Sequence, residues 1–406
     1  MEALDAGQGR NVLAVPDFRR LWTIGLSISV ARWLEMLVVG IVVFQATGSA
    51  LIVAAMTLLR LVPMGFFGAL IGVLADRVPR RVTLLGVLAL QAFAVAALTL
   101  LALAEALEVW HIAIASLIGG LTWATDNPVR RMMVGESVGA SRMGSAMSLD
   151  VLANNASRVS GPVLGGTLLA AFGPASAFGL ALLLYLCAIV VALRIEGGAA
   201  ATASRGATVM RELRDSFALG IQQPRLRAVL VVTMIFNLFA WPCTSMIPVI
   251  GEASLHLGPT GIGAVASMEG LGALLGAMLI GVGVRMQHYP AVYAGGTALY
   301  LAMMVAFALA PSAVPAGAAL FLVGIGGAGF ATMQATLTYL AVPAPLRGRA
   351  LGVLSTAIGT GLLGFLQLGL LAEWLDAPRA TALVGTEGLL ALLATLRLWR
   401  PMFHPD

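Results

Sequence analysis

The stretch GVLADRVPRR, residues 72–81, decides how this chain is read. It follows an apolar run from Leu51 to Leu74, and a second run begins at Val82. Each run is long enough to cross the hydrocarbon core of a bilayer as a helix, which takes about 20 residues. A tight turn between two oily helices therefore carries Asp76, Arg77, Arg80 and Arg81. Charges so placed belong at the membrane surface, where water and lipid headgroups solvate them.

The whole chain fits that setting. It has 406 residues, 59% of them hydrophobic and 11% charged, with a mean hydropathy of +0.95. A soluble domain has no means of keeping so much apolar surface out of water, so the bilayer is the solvent. All 24 basic residues are arginines, spread along the loops, and the net charge of +5 does not point to nucleic acid. Cys187 and Cys243 lie inside apolar runs, where small packing residues are expected rather than a disulfide or metal pair. The histidines at 111, 256, 288 and 404 are scattered and make no metal site. No nucleotide loop or nucleophile constellation is present, so neither an enzyme nor an ATP-driven machine is expected, and no cofactor. Met1 to Pro16 shows no hydrophobic signal core, and no cleaved leader is expected.

Apolar runs predict twelve spanning helices, near 18–45, 51–75, 82–104, 109–129, 145–171 and 175–194, then 227–250, 259–284, 289–310, 315–341, 349–374 and 380–398. The long polar connection between the two sets implies an N-terminal six-helix unit over 1–195, a linker over 196–223 and a C-terminal unit over 224–406. The second half of the linker has the composition of a short surface helix. Weak echoes recur at a shift of about 208. Pro16-Asp17-Phe18-Arg19 returns as Pro224-Arg225-Leu226-Arg227, Ile71-Gly72-Val73 as Ile280-Gly281-Val282, and Trp123-Ala124-Thr125 as Phe330-Ala331-Thr332. With both termini cytoplasmic, Arg379 alone falls on the outer side and Arg32, Arg60 and Arg158 lie within helices. Every other arginine is then cytoplasmic, which fixes the orientation.

Ionisable groups at bilayer depth cost about 2.5–3.5 kcal/mol each on insertion scales, so each needs a reason. Glu35, Arg158 and Glu269 fall close to mid-span. Arg32 lies one turn before Glu35 and is placed to pair with it. Arg60 and Glu387 fall nearer the outer side. Asp150, Asn154 and Arg158 recur every four residues as a polar stripe on one helical face. Gly161-Pro162-Val163-Leu164-Gly165-Gly166 follows, allowing close helix approach and a bend. Asn237, Trp241 and Gln334 are candidates for the lining of a cavity, beside Trp33, Trp123, Phe236, Phe239, Met268 and Met333.

Together these features resemble the major facilitator superfamily. Residues 72–81 are similar to its signature loop between helices 2 and 3, with Pro79 at the usual second glycine. The resemblance implies a fold of two six-helix bundles, all α-helical, related by an axis along the membrane normal. It implies that Asp76 pairs with Arg130 or Arg131 at the end of helix 4, beside Asp126, and meets the N-terminus of helix 11 near Arg349. Gly72, Asp76, Arg77, Arg80, Arg81, Asp126, Arg130 and Arg131 would then form a conformational gate. Gly161, Pro162, Gly165 and Gly166 resemble the antiporter motif of helix 5, with Ser157 where another glycine is common. Thr47-Gly48-Ser49, Asp126-Asn127-Pro128, Asn237 and Arg347-Gly348-Arg349 extend the likeness to the branch containing the enterobactin exporter and macrolide efflux pumps. Those relatives often carry an acid near the position of Arg32, and here the acid is Glu35. The expectation is a multi-pass transporter of a bacterial inner membrane, exporting a small amphipathic molecule against protons. Glu35, Glu269 and Asp150 are the candidate proton carriers, and Arg32, Asn154, Arg158, Asn237, Trp241 and Gln334 the candidate cavity residues. A monomer is expected, with protons, a small-molecule substrate and membrane lipids as partners. An uptake symporter or facilitator, a lipid or metal exporter, and a receptor that transports nothing are the rival readings.

Overall fold

The computed structural model describes residues 12–75, 78–195, 220, 222–343 and 346–403, and for 64–75, 140 and 348 the backbone alone. Among the described residues every regular element is helical. In chain order the long helices are α1 (Pro16–Thr47), α2 (Ala50–Ala75), α3 (Arg80–Leu103), α4 (Val109–Val138), α5 (Met143–Phe172) and α6 (Pro174–Ala192). They continue as α7 (Pro224–Ala253), α8 (Pro259–Gly283), α9 (Tyr289–Ala308) and α10 (Ala313–Leu340). The last are α11, in two pieces (Arg347–Gly359 and Gly361–Leu375), and α12 (Ala377–Ala394). Each apolar run read from the sequence falls on one of these. Helix α4 runs on past the expected end at 129 because Arg130, Arg131 and Glu136 extend it as a polar continuation. Of the linker over 196–223, whose second half is expected to form a short surface helix, only 220, 222 and 223 are among the described residues, and the turn residues Asp76 and Arg77 lie outside them.

Eight of the described helices are long and apolar enough to cross a membrane, and nine if α12 and the short helices after it, bent by 60°, count as one span. Helices α4 and α5 fall short of that measure because they carry the charged and polar groups described below. In α2 the described side chains form only a short apolar helix, Ala50–Pro63.

Two compact units result. The first comprises Met1–Val39 and Leu59–Ser204, the second Gly40–Leu58 and Arg205–Asp406. The division cuts through α1 and α2, so the end of α1 and the start of α2 belong to the second unit. There Ser49 Oγ donates to Glu373 Oε2 at 2.9 Å, and Gly369 leaves room for Leu51 and Ala54.

Within the first unit α5 lies hard against α1. A side chain at Gly161 would strike Trp33 Cβ at 2.7 Å and the Leu34 amide nitrogen at 2.9 Å, and one at Gly165 would meet Leu34 and Val38. The glycine-rich motif thus holds the very turn of α1 that carries Arg32 and Glu35. The corner between α5 and α6 is made at Gly173, whose φ of +75° favours glycine. Pro174 then opens α6, where its missing N–H leaves no bond unmade.

The second unit packs backbone on backbone. Gly272 and Gly324 bring α8 and α10 so close that an added Cβ at either would penetrate the opposite main chain at Phe321 or Glu269. Gly296 does the same between α9 and α10, against Gly326. Such small-residue seams are how helices associate where lipid supplies no hydrophobic drive. Helix α7 is wound differently. Phe236–Ala240 forms a π-turn and Trp241–Met246 a 3₁₀ segment before the α-helix resumes.

Asp376, in a left-handed conformation with φ +81°, caps α12 by accepting from the Arg379 N–H at 2.9 Å. Asp376→Ala removes that acceptor and is expected to cost about 1 kcal/mol, read as a lower melting temperature of the purified protein. Asp376→Gly should lose less, since glycine suits the left-handed backbone.

Candidate functional site

The first unit holds a chain of buried charges contributed by α1, α2, α4 and α5, with neutral polar partners from α3 and α6. At one end Glu35 is 5% exposed, and its Oε2 accepts from Arg60 Nη2 at 2.8 Å and from Gln91 Nε2 at 3.2 Å. Gln91 Oε1 in turn accepts from the Thr122 hydroxyl at 3.1 Å. The Tyr185 hydroxyl faces Glu35. The room for Arg60 is made by Gly119, where a Cβ would come within 2.9 Å of its Nη2.

The other end is acidic on both sides of one guanidinium. Arg130 Nη1 donates to Asp150 Oδ1 at 2.5 Å, and its Nε lies 3.7 Å from Asp126 Oδ1. Arg32 Nη2 stands 3.6 Å from Asp126 Oδ2, with its guanidinium 4.8 Å from the Trp123 ring centre. Arg131, half exposed, reaches Asp150 Oδ2 at 3.6 Å. Gly25 clears the space that the Arg130 guanidinium fills. Asp126 and Asp150 set against Arg32 and Arg130 leave little uncompensated charge, which is what buried ionic groups require.

One expectation is corrected here. Arg32 and Glu35 do not pair. The one-turn spacing places them on one face of α1, but Arg60 and Gln91 approach Glu35 from neighbouring helices while Asp126 draws Arg32 away. Arg60, expected nearer the outer side and given no role, is the guanidinium that holds Glu35. Gln91, Thr122 and Tyr185 are absent from the expected site. Single polar residues in apolar helices give no periodic signal, though Gln91 in mid-span of α3 is the one readable hint.

The remaining site residues are placed as follows. Asp150, Asn154 and Arg158 lie on successive turns of α5, with Asp150 buried and Asn154 half-buried. The Arg158 guanidinium covers the Trp33 ring at 4.8 Å. Gly161, Pro162, Gly165 and Gly166 are all buried in the same helix. Arg80 pairs with Glu136, and Arg81 donates to the Leu193 carbonyl at 2.6 Å. Gly72 lies near the end of α2, in the part described by its backbone alone. The expected partnership of Asp76 falls outside the described residues.

In the second unit Glu269 is 7% exposed on α8, and its main chain meets Gly324. Asn237 sits in the π-turn of α7 and donates to the Thr233 carbonyl at 2.8 Å. Thr233 shares a 2.7 Å hydrogen bond with Tyr293, and half-buried Gln334 reaches the Thr233 hydroxyl at 3.4 Å. Phe236 stacks on Phe330 with ring centres 3.6 Å apart. Trp241 lies edge-on to Phe365. Glu387 is held by Gln367 at 2.7 Å.

Helices of membrane length with ion pairs sealed between them define a multi-pass membrane protein. The chain belongs to the transmembrane secretion effector family of the major facilitator type, whose family profile matches residues 11–404. It is 24% identical over 386 residues to the uncharacterized MFS-type transporter YfiS of Bacillus subtilis strain 168, covering 91% of this chain and 89% of that protein. It is 26% identical over 244 residues to macrolide efflux protein A of Streptococcus pyogenes, covering 59% of each, so the match spans little more than half of that relative. Among solved structures, a single-substitution mutant of the nucleoside transporter NupG superposes with a TM-score of 0.77 at 12% identity, over 94% of this chain and 100% of that one. A POT family transporter in complex with 5-aminolevulinic acid gives 0.74 at 13% identity, over 95% of this chain and 96% of that one. At such identities these likenesses carry the fold alone.

Proposed function

We propose that this protein is a proton-coupled exporter of a small amphipathic molecule, working as a monomer in a bacterial inner membrane. In this reading it spans the membrane twelve times with both termini in the cytoplasm, and its two halves rock to give alternating access. Asp76 and the arginines around it, with Asp126, Arg130 and Arg131, serve as the gate. The observation that carries the reading is the Glu35–Arg60–Gln91 cluster. Apolar residues in place of both Glu35 and Arg60 would pack as well, so stability alone does not account for the buried pair. Protonation of Glu35 cancels its attraction to Arg60 and gives the unit two discrete electrostatic states. A proton is worth about 1.4 kcal/mol per pH unit and about 2.3 kcal/mol per 100 mV, enough to drive a solute uphill. Arg32, Arg158, Asn154, Asn237, Trp241 and Gln334 are assigned to the substrate path, and Glu269 and Asp150 are the other candidate carriers. The similarity to macrolide efflux protein A supports export over uptake.

Proteoliposomes with an internal pH dye test the reading, with macrolides, siderophores and cationic dyes as probes. Probe-dependent proton movement is expected from the native protein, and Glu35→Gln is expected to abolish it. Probe transport that proceeds without protons, or that survives both Glu35→Gln and Glu269→Gln, would remove proton coupling and leave a facilitator.

A further inference from the structure

A small cavity of about 10 Å³ lies inside the first unit, lined by Arg32, Arg60, Gln91, Thr122, Asp126 and Tyr185 among apolar neighbours. Its volume matches the space for the centre of one water molecule. Asp126, Gln91, Tyr185, Thr122 and Arg60 are each more than nine-tenths buried. Two residues of its wall each carry a buried polar atom with no hydrogen-bond partner within the protein, Asp126 at Oδ1 and Arg60 at Nε, as does Glu35 at Oε1, whose other oxygen is held by the wall residues Arg60 and Gln91. Buried polar atoms are paired as a rule, with protein or with ordered water. The charges around the space balance, Arg32 and Arg60 against Asp126 and Glu35, so a neutral occupant fits better than an ion. Water also meets the need for two to four polar partners.

We propose that one bound water and the Tyr185 hydroxyl form a proton path inside the first unit, joining Asp126 to Glu35. This rests on the reading of Glu35 as a proton carrier and adds Asp126 as its exchange partner and Tyr185 as the bridge. The transfer balances. The O–H bond of protonated Asp126 breaks as the water oxygen takes the proton. The water passes one of its own protons to the Tyr185 oxygen, and the tyrosine proton goes to the Glu35 carboxylate. Water and tyrosine end as they began, and one proton has moved from one carboxyl group to the other. Thr122 and Gln91 position the water, while Arg60, against Glu35, and Arg32 and Arg130, against Asp126, offset whichever carboxylate is charged. Asp150 competes with Asp126 for Arg130.

The test is pH-jump infrared difference spectroscopy on the purified full-length protein in lipid, in ordinary water and in H₂¹⁸O. It needs no transported substrate. The native protein is expected to show an O–H stretching band that shifts in H₂¹⁸O, and this band should vanish in Thr122→Val. The carboxyl band that is absent in Glu35→Gln should still appear in Tyr185→Phe, but rise about tenfold or more slowly after the jump, since a positioned proton relay has been removed. Tyr185→Phe keeps the ring and its packing, so a slower rise at unchanged final amplitude separates the relay from a structural role. An isotope-insensitive spectrum, or an unchanged rise in Tyr185→Phe, overturns the path. If no carboxyl band depends on Glu35 while the isotope-sensitive band persists, the failure lies with Glu35 as carrier.

Discussion

Arg130→Leu is expected to destabilise the protein by on the order of 3–5 kcal/mol, the loss that follows when one partner of a buried ionic cluster is removed. The reason lies in what remains. Asp126 and Asp150 would both stay buried, each left with one guanidinium at 3.6 Å, Arg32 and Arg131, in place of two. The side chain is also a spacer, since Gly25 has been left bare to receive it. Melting temperature and the yield of monodisperse protein in detergent should both fall sharply. Arg130→Lys should lose less, because a point charge keeps the attraction but not the two-sided reach. Adding Asp150→Asn to Arg130→Leu should recover part of the loss by removing one acid left with only half-exposed Arg131. An Arg130→Leu protein as stable as the native one would show that the acids are not held by this residue.

Gly324→Leu is the second large effect. A Cβ at this position would lie 2.6 Å from the Ala273 amide nitrogen and closer still to the Glu269 carbonyl oxygen, both backbone atoms that cannot swing aside. Overpacking of this kind costs about 1–3 kcal/mol and sometimes more. It would pry α10 from α8 at the turn that carries Glu269, so stability and transport should fall together. Gly317→Ala on the same helix is the control. Its Cβ would meet only the flexible Met268 side chain at 3.4 Å, and the change should be near neutral. Equal melting temperatures for the two variants would refute the close seam.

The sequence carried the helices well, because runs of apolar residues bounded by charge, glycine and proline are local signals. It also carried the meaning of Gly161 and Gly165, since small residues after a polar stripe point to tight packing whatever lies opposite. It did not carry the partner of Glu35. Arg32 is the nearest cation along the chain, but the choice between Arg32 and Arg60 is made by the way α1, α2 and α4 cross, which no spacing within one helix records. Gln91 and Tyr185 are hidden for the same reason. Each is one polar group in an otherwise oily helix, and only the assembled bundle shows that both turn toward Glu35. Of the loop over 72–81, Asp76 and Arg77 fall outside the described residues, while Arg80 and Arg81 hold Glu136 and the Leu193 carbonyl.

The backbone seams of the second unit have a mechanical consequence. Where main chains touch through glycine, there is no compliant layer of side chains to shear, so α8, α9 and α10 behave as a stiff plate. Compliance is left to helices of this unit whose winding is interrupted within the apolar span, among them α7 at Phe236–Met246 and α11 at Thr360. A load applied to this unit would therefore bend it at those two breaks. Asn237 stands inside one of them, and Trp241 lies against Gly361 beside the other. Two of the residues proposed for the substrate path thus stand at the flexure points, where a bound molecule would set the angle of the bend.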